Sequence, residues 1–230
     1  MAQRTVDTVL VRWYERRDRS PDIAERWLRA AAEHLPEAMP RRYGDTEPLR
    51  GRGADGFVDA HGRATDLFFL TGTPPVYHAS FTARGGPTSV HTLHAELPAD
   101  DQRVNAFALA LVHPGMTYVS ASIERGLTLE RGTLWGPASS PGEPYLAPHG
   151  DWLGLPPEPP AWCWFGPDYR RRVARDVDGA DVAGGLLRTG GPWVRPALTA
   201  RLSEADPARR RAARMPRGLR RSLLQLLRKP

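Results

Sequence analysis

The stretch from Asp151 to Arg195 constrains this chain most, because Trp152, Trp162, Trp164, Phe165, Tyr169 and Trp193 crowd into it among Pro and Gly turn signals. Large aromatics bury the most area per residue, so an aromatic knot punctuated by turns marks the place where a core closes. The same stretch holds no cofactor loop, no metal-ligand spacing and no nucleophile signature. Its side chains either fill a core or line a pocket, and bulk of this kind favours core.

The rest of the chain supplies the elements for such a core. Thr5 to Arg17 alternates apolar and polar residues and is β-branched early, which predicts a first strand. Ser20-Pro21-Asp22 then offers an N-cap, a proline at the first helical position and an acid in the first turn. The helix that follows carries Ile23, Trp27, Ala31 and Leu35 at spacings of four, and Pro36 and Pro40 stop it. Arg41 to Gly56 is turn-rich and polar, and Phe57 to Leu70 is expected to be extended. Val76 to Ala83 and Ser89 to Leu97 predict a β-hairpin around Arg84-Gly85-Gly86-Pro87. Asp100 or Asp101 can cap a helix from Gln102 to Val112, with Val104, Phe107, Ala108 and Leu111 on one face. Met116 to Ile123 alternates as a strand, which Leu127 to Trp135 extends or pairs with. Within the knot, Trp162 to Phe165 and Gly184 to Thr189 are strand-like and flank a helix opened by Pro167-Asp168 and running to about Val177. This succession predicts an α+β fold, a mostly antiparallel sheet with a few helices packed on it.

Charge divides the chain in two. Residues 201–230 hold ten basic residues against Glu204 and Asp206, about +8, which leaves residues 1–200 at about −2 of the formal +6. One globular domain over 1–200 and a basic tail over 201–230 are therefore expected. Lys229 is the only lysine among 32 basic residues, a usage that a GC-rich bacterial genome explains. The tail's Leu219, Leu223, Leu226 and Leu227 share one helical face, but three turns are too short for a helix that is stable alone. Its Arg209, Arg210, Arg211, Arg220 and Arg221 could contact nucleic acid, an anionic membrane or an acidic protein groove. The single cysteine, Cys163, allows no intrachain disulfide and fits a reducing compartment. No apolar run approaches the roughly 18 residues that span a bilayer. The N-terminus lacks an apolar signal region, so a cytoplasmic location is expected.

Candidate chemistry is sparse. His91 and His94, three apart on a strand, would face opposite ways, whereas pairing the hairpin about its loop would bring His78 and His91 to one face. Such a pair could serve acid–base catalysis in a small hydrolase or transferase, and it is the only catalytic alternative. Cys163 lies between two tryptophans, a setting that suggests burial rather than reactivity. No P-loop, dinucleotide fingerprint or nucleophile elbow occurs, so neither a cofactor nor a metal is expected.

The pattern Trp162-x-x-Phe165-Gly166-Pro167-x-Tyr169, followed by Gly184-Gly185-Leu186-Leu187-x-x-Gly190 and a proline, resembles the C-terminal half of bacterial immunity proteins from polymorphic and type VI secretion toxin systems. The opening strand with its capped helix, Ser20 to Leu35, is similar too. The resemblance implies a cytoplasmic, non-enzymatic protein that neutralises a cognate toxin by occluding it. The expected working surface is the loops Arg41 to Gly56 and Gly136 to Gly150, with Tyr43, Trp135, Tyr145 and Trp152 as aromatic anchors, since aromatics and arginines dominate interface energetics.

Overall fold

The computed structural model describes residues 3–16, 23–82, 88–136, 159–174 and 177–193. Among the described residues, eleven strands form one sheet in which every pairing is antiparallel. In chain order they are β1 (Arg4–Arg16), β2 (Arg42–Gly44), β3 (Gly51–Arg52), β4 (Leu67–Thr71), β5 (Val76–Thr82), β6 (Thr88–Ala95), β7 (Met116–Glu130), β8 (Thr133–Trp135), β9 (Trp162–Phe165), β10 (Ala180–Val182) and β11 (Gly185–Thr189). The spatial order is β10-β11-β9-β7-β1-β6-β5-β4-β2-β3, with β8 folded back on β7. Four α-helices among the described residues accompany the sheet: α1 (Ile23–His34), α2 (Phe57–Arg63), α3 (Gln102–Ala110) and α4 (Pro167–Val173). The fold is α+β, as the sequence predicts.

Period-two alternation on β1 and period-3.6 stripes on the helices explain the layering. Val9, Val11 and Trp13 of β1 point to the face covered by α1, α2 and α3, where they join the principal core. Trp27 of α1 sits at its centre. Its ring meets Trp13 at 5.8 Å, Phe81 at 4.9 Å and Phe107 at 4.8 Å, all edge to face. Its indole N–H donates to the Ala38 carbonyl at 2.9 Å, so the one polar atom of the ring is satisfied. Asp101 caps α3 by accepting from the backbone N–H groups of Arg103 and Val104. Val104, Phe107, Ala108 and Leu111 are fully buried, as the apolar stripe requires. The cap expected at Ser20 to Asp22 lies outside the described residues.

The aromatic knot closes the core on both sides of the sheet. Along β9, Trp162 and Trp164 enter the principal core, while Cys163 and Phe165 join Tyr14, Tyr118, Tyr169 and Trp193 on the opposite face. Alternation along a strand buried on both faces splits a run of aromatics in this way. The helix after it is shorter than its pattern suggested, ending at Val173 rather than near Val177.

Three other segments differ from expectation. Phe57 to Arg63, read as extended, is α2, because Phe57 and its neighbours pack on Tyr43 and Phe68 rather than continuing into β4. Ala180–Val182 adds a strand that its composition did not announce. It pairs with β11 through Ala183-Gly184, both with positive φ, the two-residue turn that suits the twist of a hairpin. The polar stretch Arg41 to Gly56 carries β2 and β3 and is partly core. No helix among the described residues is long and apolar enough to cross a membrane. The tail over 201–230 lies outside the described residues.

Candidate binding site

Register decides the histidine question. β5 pairs with β6 so that His78 stands opposite His94 and Phe81 opposite His91. His78 and His91 therefore lie on opposite faces, a correction to the pairing expected from the loop. The ladder runs unbroken from the Phe81 and His91 pair to the His78 and His94 pair, so His78 and His91 stand three residues apart along it, an odd spacing that reverses the face.

His91 belongs to a buried polar cluster on the helix-covered face. Its Nε2 lies 3.1 Å from Oε2 of Glu15, whose side chain is fully buried. Oε1 of Glu15 accepts from Arg26 and from Nε2 of His113, both at 2.7 Å. The Gly115 N–H donates to Nδ1 of His113, so Nε2 carries the proton that His113 gives to Glu15. Arg26 also donates to the Leu111 carbonyl. The cluster ties β1, α1, β6 and the end of α3 together, a positioning role for groups enclosed among core side chains.

His78 and His94 face each other on the other side of the sheet, ring centroids 6.2 Å apart, next to Phe69 at 5.6 Å from His78. Arg12 donates to Glu124 at 3.2 Å, and Nδ1 of His94 lies 3.9 Å from that carboxylate. Burial lowers the pKa of His78, and burial with nearby His78 and Arg12 brings that of His94 down to about 4. A group at that value is neutral and weakly basic at pH 7, poorly matched to acid–base work there. The lowered value also favours the folded state only while His94 is neutral. Its contribution is complete above the unfolded value of 6.5 and is lost as pH falls towards 4. The His94 ring signals in an NMR titration should stay at their neutral positions down to about pH 5. A midpoint near 6.5 would show the ring to be solvated. Among the described residues, no group of three His, Cys, Asp or Glu side chains is placed to hold a metal. Cys163 is fully buried.

The expected aromatic anchors separate. Tyr43 is 6% exposed, its ring packed on Phe57 at 5.3 Å and Phe68 at 5.9 Å and pressed against Gly51, where a Cβ would come within 2.1 Å of it. Its hydroxyl donates to the Asp55 carbonyl at 2.7 Å. The loop setting suggested exposure, but β2 carries the ring inward. Trp135 is 59% exposed on β8. Tyr145 and Trp152 lie outside the described residues, as do Arg209, Arg210, Arg211, Arg220 and Arg221. Tyr43→Ala should therefore lower stability by about 3 kcal/mol, whereas Trp135→Ala should change it by less than about 0.5 kcal/mol. Paired thermal melts decide between them, and equal losses would place Trp135 in the core as well.

Beside Trp135 lies a cavity of about 860 Å³ that no single segment of sequence announces. Beyond Val9, β1 outruns its pairing with β6, and the β7–β8 hairpin curls over that end towards β5. Leu134 fastens it by packing on Val6, Tyr77, Leu127 and Leu129. The cavity between is lined by Arg4, Arg41, Arg42 and Arg131, with Val76, Tyr77, Leu129 and Pro74 supplying apolar wall. Arg4 is matched to Glu96 at 2.6 Å and donates to Tyr77 at 2.7 Å, while the Tyr77 hydroxyl donates to Glu96. That partnership holds the Glu96 carboxyl below its ordinary range, chiefly through the hydrogen bond from Arg4. Arg41-Arg42 opens a stretch that the sequence already marks as a working surface. Arg4 and Arg131 carry no local signal, because the hairpin curl alone brings them there.

No family model matches this chain, and no curated protein matches it. Among solved structures, the Pseudomonas aeruginosa T6SS protein PA0821 is similar at a TM-score of 0.44 and 14% identity, covering 97% of this chain and 74% of that one.

Proposed function

We propose that this chain is a cytoplasmic, non-enzymatic binding protein that holds a protein partner, in the manner of an immunity protein occluding a cognate toxin. One observation supports the reading above others: Trp135, the most exposed large apolar residue among those described, stands on the hairpin that walls a four-arginine cavity. Trp and Arg are among the residue types that carry most energy in protein interfaces. The buried Glu15 cluster and the low-lying His94 offer no acid–base pair suited to neutral pH.

The test is affinity capture from nuclease-treated host lysate by the full-length chain and by a copy ending at Arg201. One protein retained stoichiometrically by both forms, toxic when expressed alone and harmless when co-expressed with this chain, is the expected result. A partner lost with residues 202–230 would move the function into the tail. A captured protein without toxicity would remove the immunity role and leave binding.

A further inference from the structure

We propose that the arginine cavity is the docking site for an acidic segment of the protein partner, a short extended stretch whose carboxylates flank an aliphatic side chain. The inference rests on the protein-binding reading and supplies the chemistry of the partner. Among the described residues, twelve line the cavity, four of them arginine and none acidic. Arg4 has its counter-charge in Glu96, but among the described residues Arg41, Arg42 and Arg131 enter no ion pair. Three exposed guanidiniums around one concavity repel one another, and each offers a planar fork that matches a carboxylate with two hydrogen bonds.

The setting favours a peptide over other anions. Val76, Leu129 and Pro74 form an apolar wall that an aliphatic side chain can cover. Among the described residues Tyr77 is the only aromatic in the lining, 6% exposed with its hydroxyl held by Arg4 and Glu96, so it offers no free ring for a nucleobase. Among the described residues no helix begins at the cavity to cradle a phosphate. Arg131 leaves the chain from a two-residue turn in which it and Gly132 both have positive φ, so its starting point is fixed by the tightest kind of hairpin connection. Exposed Trp135, two residues beyond Thr133 in the lining, extends the contact past the cavity rim. The chain's own tail, with ten basic residues against two acidic, has the wrong sign to occupy it.

A labelled synthetic peptide of four glutamates around one leucine, titrated by fluorescence anisotropy, provides the probe. Full-length chain should bind it, and full-length Arg41→Ala/Arg42→Ala/Arg131→Ala should bind about tenfold or more weakly, with the tail present in both. Because these three side chains are exposed, the melting temperature should not move. The corresponding triple lysine variant should recover part of the affinity, since it restores charge without the fork. In the wild type the arginine Nε–Hε NMR signals of these residues should shift with the peptide. Equal binding by wild type and alanine variant would place the peptide on the tail and overturn the proposal. Equal shifts with an oligothymidylate of the same charge would make the cavity a phosphate site and overturn it too. Failure here is distinct from failure of the protein-binding reading. A lysate partner retained by the alanine variant would sink the cavity alone, whereas a wild-type chain with no partner would sink the reading.

Discussion

Glu15→Ala should destabilise the protein by about 3–5 kcal/mol, the range for removing one member of a buried, hydrogen-bonded charge cluster. The loss exceeds that of the missing contacts, because Arg26, His91 and His113 would keep their desolvation without their common acceptor. Glu15→Gln retains the shape and one carbonyl oxygen, so its loss should be smaller but still measurable by urea denaturation. The same cluster predicts acid sensitivity. Burial alone would raise the Glu15 carboxyl, but hydrogen bonds from His113 and His91 and the charge of Arg26 outweigh it and hold the group far below its ordinary 4.5. A depressed carboxyl stabilises the fold fully above the unfolded value and loses that contribution as pH falls through and below about 4.5. Wild-type stability should therefore fall between about pH 5 and pH 3, more steeply than that of Glu15→Gln. Parallel curves would mean that Glu15 titrates as an ordinary surface acid.

Trp27→Ala should cost a similar 3–5 kcal/mol, from lost transfer energy and the cavity left behind. Four large aromatics close on this position, Trp27 itself and Trp13, Phe81 and Phe107 about it, and all four are fully buried. At roughly 2–4 °C per kcal/mol for a chain of this size, the melting temperature should drop by about 10 °C. Trp27→Phe, which keeps most of the ring but leaves the Ala38 carbonyl without its donor, should lose less. A drop of only a degree or two for Trp27→Ala would show that α1 is peripheral rather than the lid of the core.

Which parts of the fold were legible in sequence follows from whether the signal is local. Ile23, Trp27, Ala31 and Leu35 announce α1 by spacing alone, and Asp101 announces the start of α3 by its capping chemistry. The alternation in β1, β5, β6 and β7 reports a half-buried sheet for the same reason. Phe57 to Arg63 reads as extended because about two turns of helix show too little period to distinguish it from a strand. Its aromatic start suits either state, and packing on Tyr43 decides. Tyr43 looked like a surface anchor because its neighbours are Gly, Asp, Arg and Pro, yet composition around a residue says nothing of which way a short strand points it.

The site was less legible than the fold, for a related reason. Glu15 and His113 are 98 positions apart and meet only because β1 and β7 are neighbours. His78 meets His94 instead of His91 because the hairpin register lies three residues from the pairing expected about the loop. Arg4, the adjacent Arg41 and Arg42, and Arg131 come from three separate places, the starts of β1 and β2 and the β7–β8 turn, and the curl of β8 over β5 is what makes them one cavity. Trp135, expected as one of the aromatic anchors, is exposed on β8, and Arg41-Arg42 open the polar stretch expected as working surface.

The central claim is that this chain binds one protein through the face bearing the arginine cavity and Trp135. Its most direct test is light scattering of the purified chain mixed with the protein it captures, repeated with Arg41→Ala/Arg42→Ala/Arg131→Ala and with Trp135→Ala. A one-to-one complex for the wild type, weakened about tenfold or more by either variant at unchanged melting temperature, is the predicted result. A complex formed equally well by all three chains, or none formed by the wild type, would contradict it.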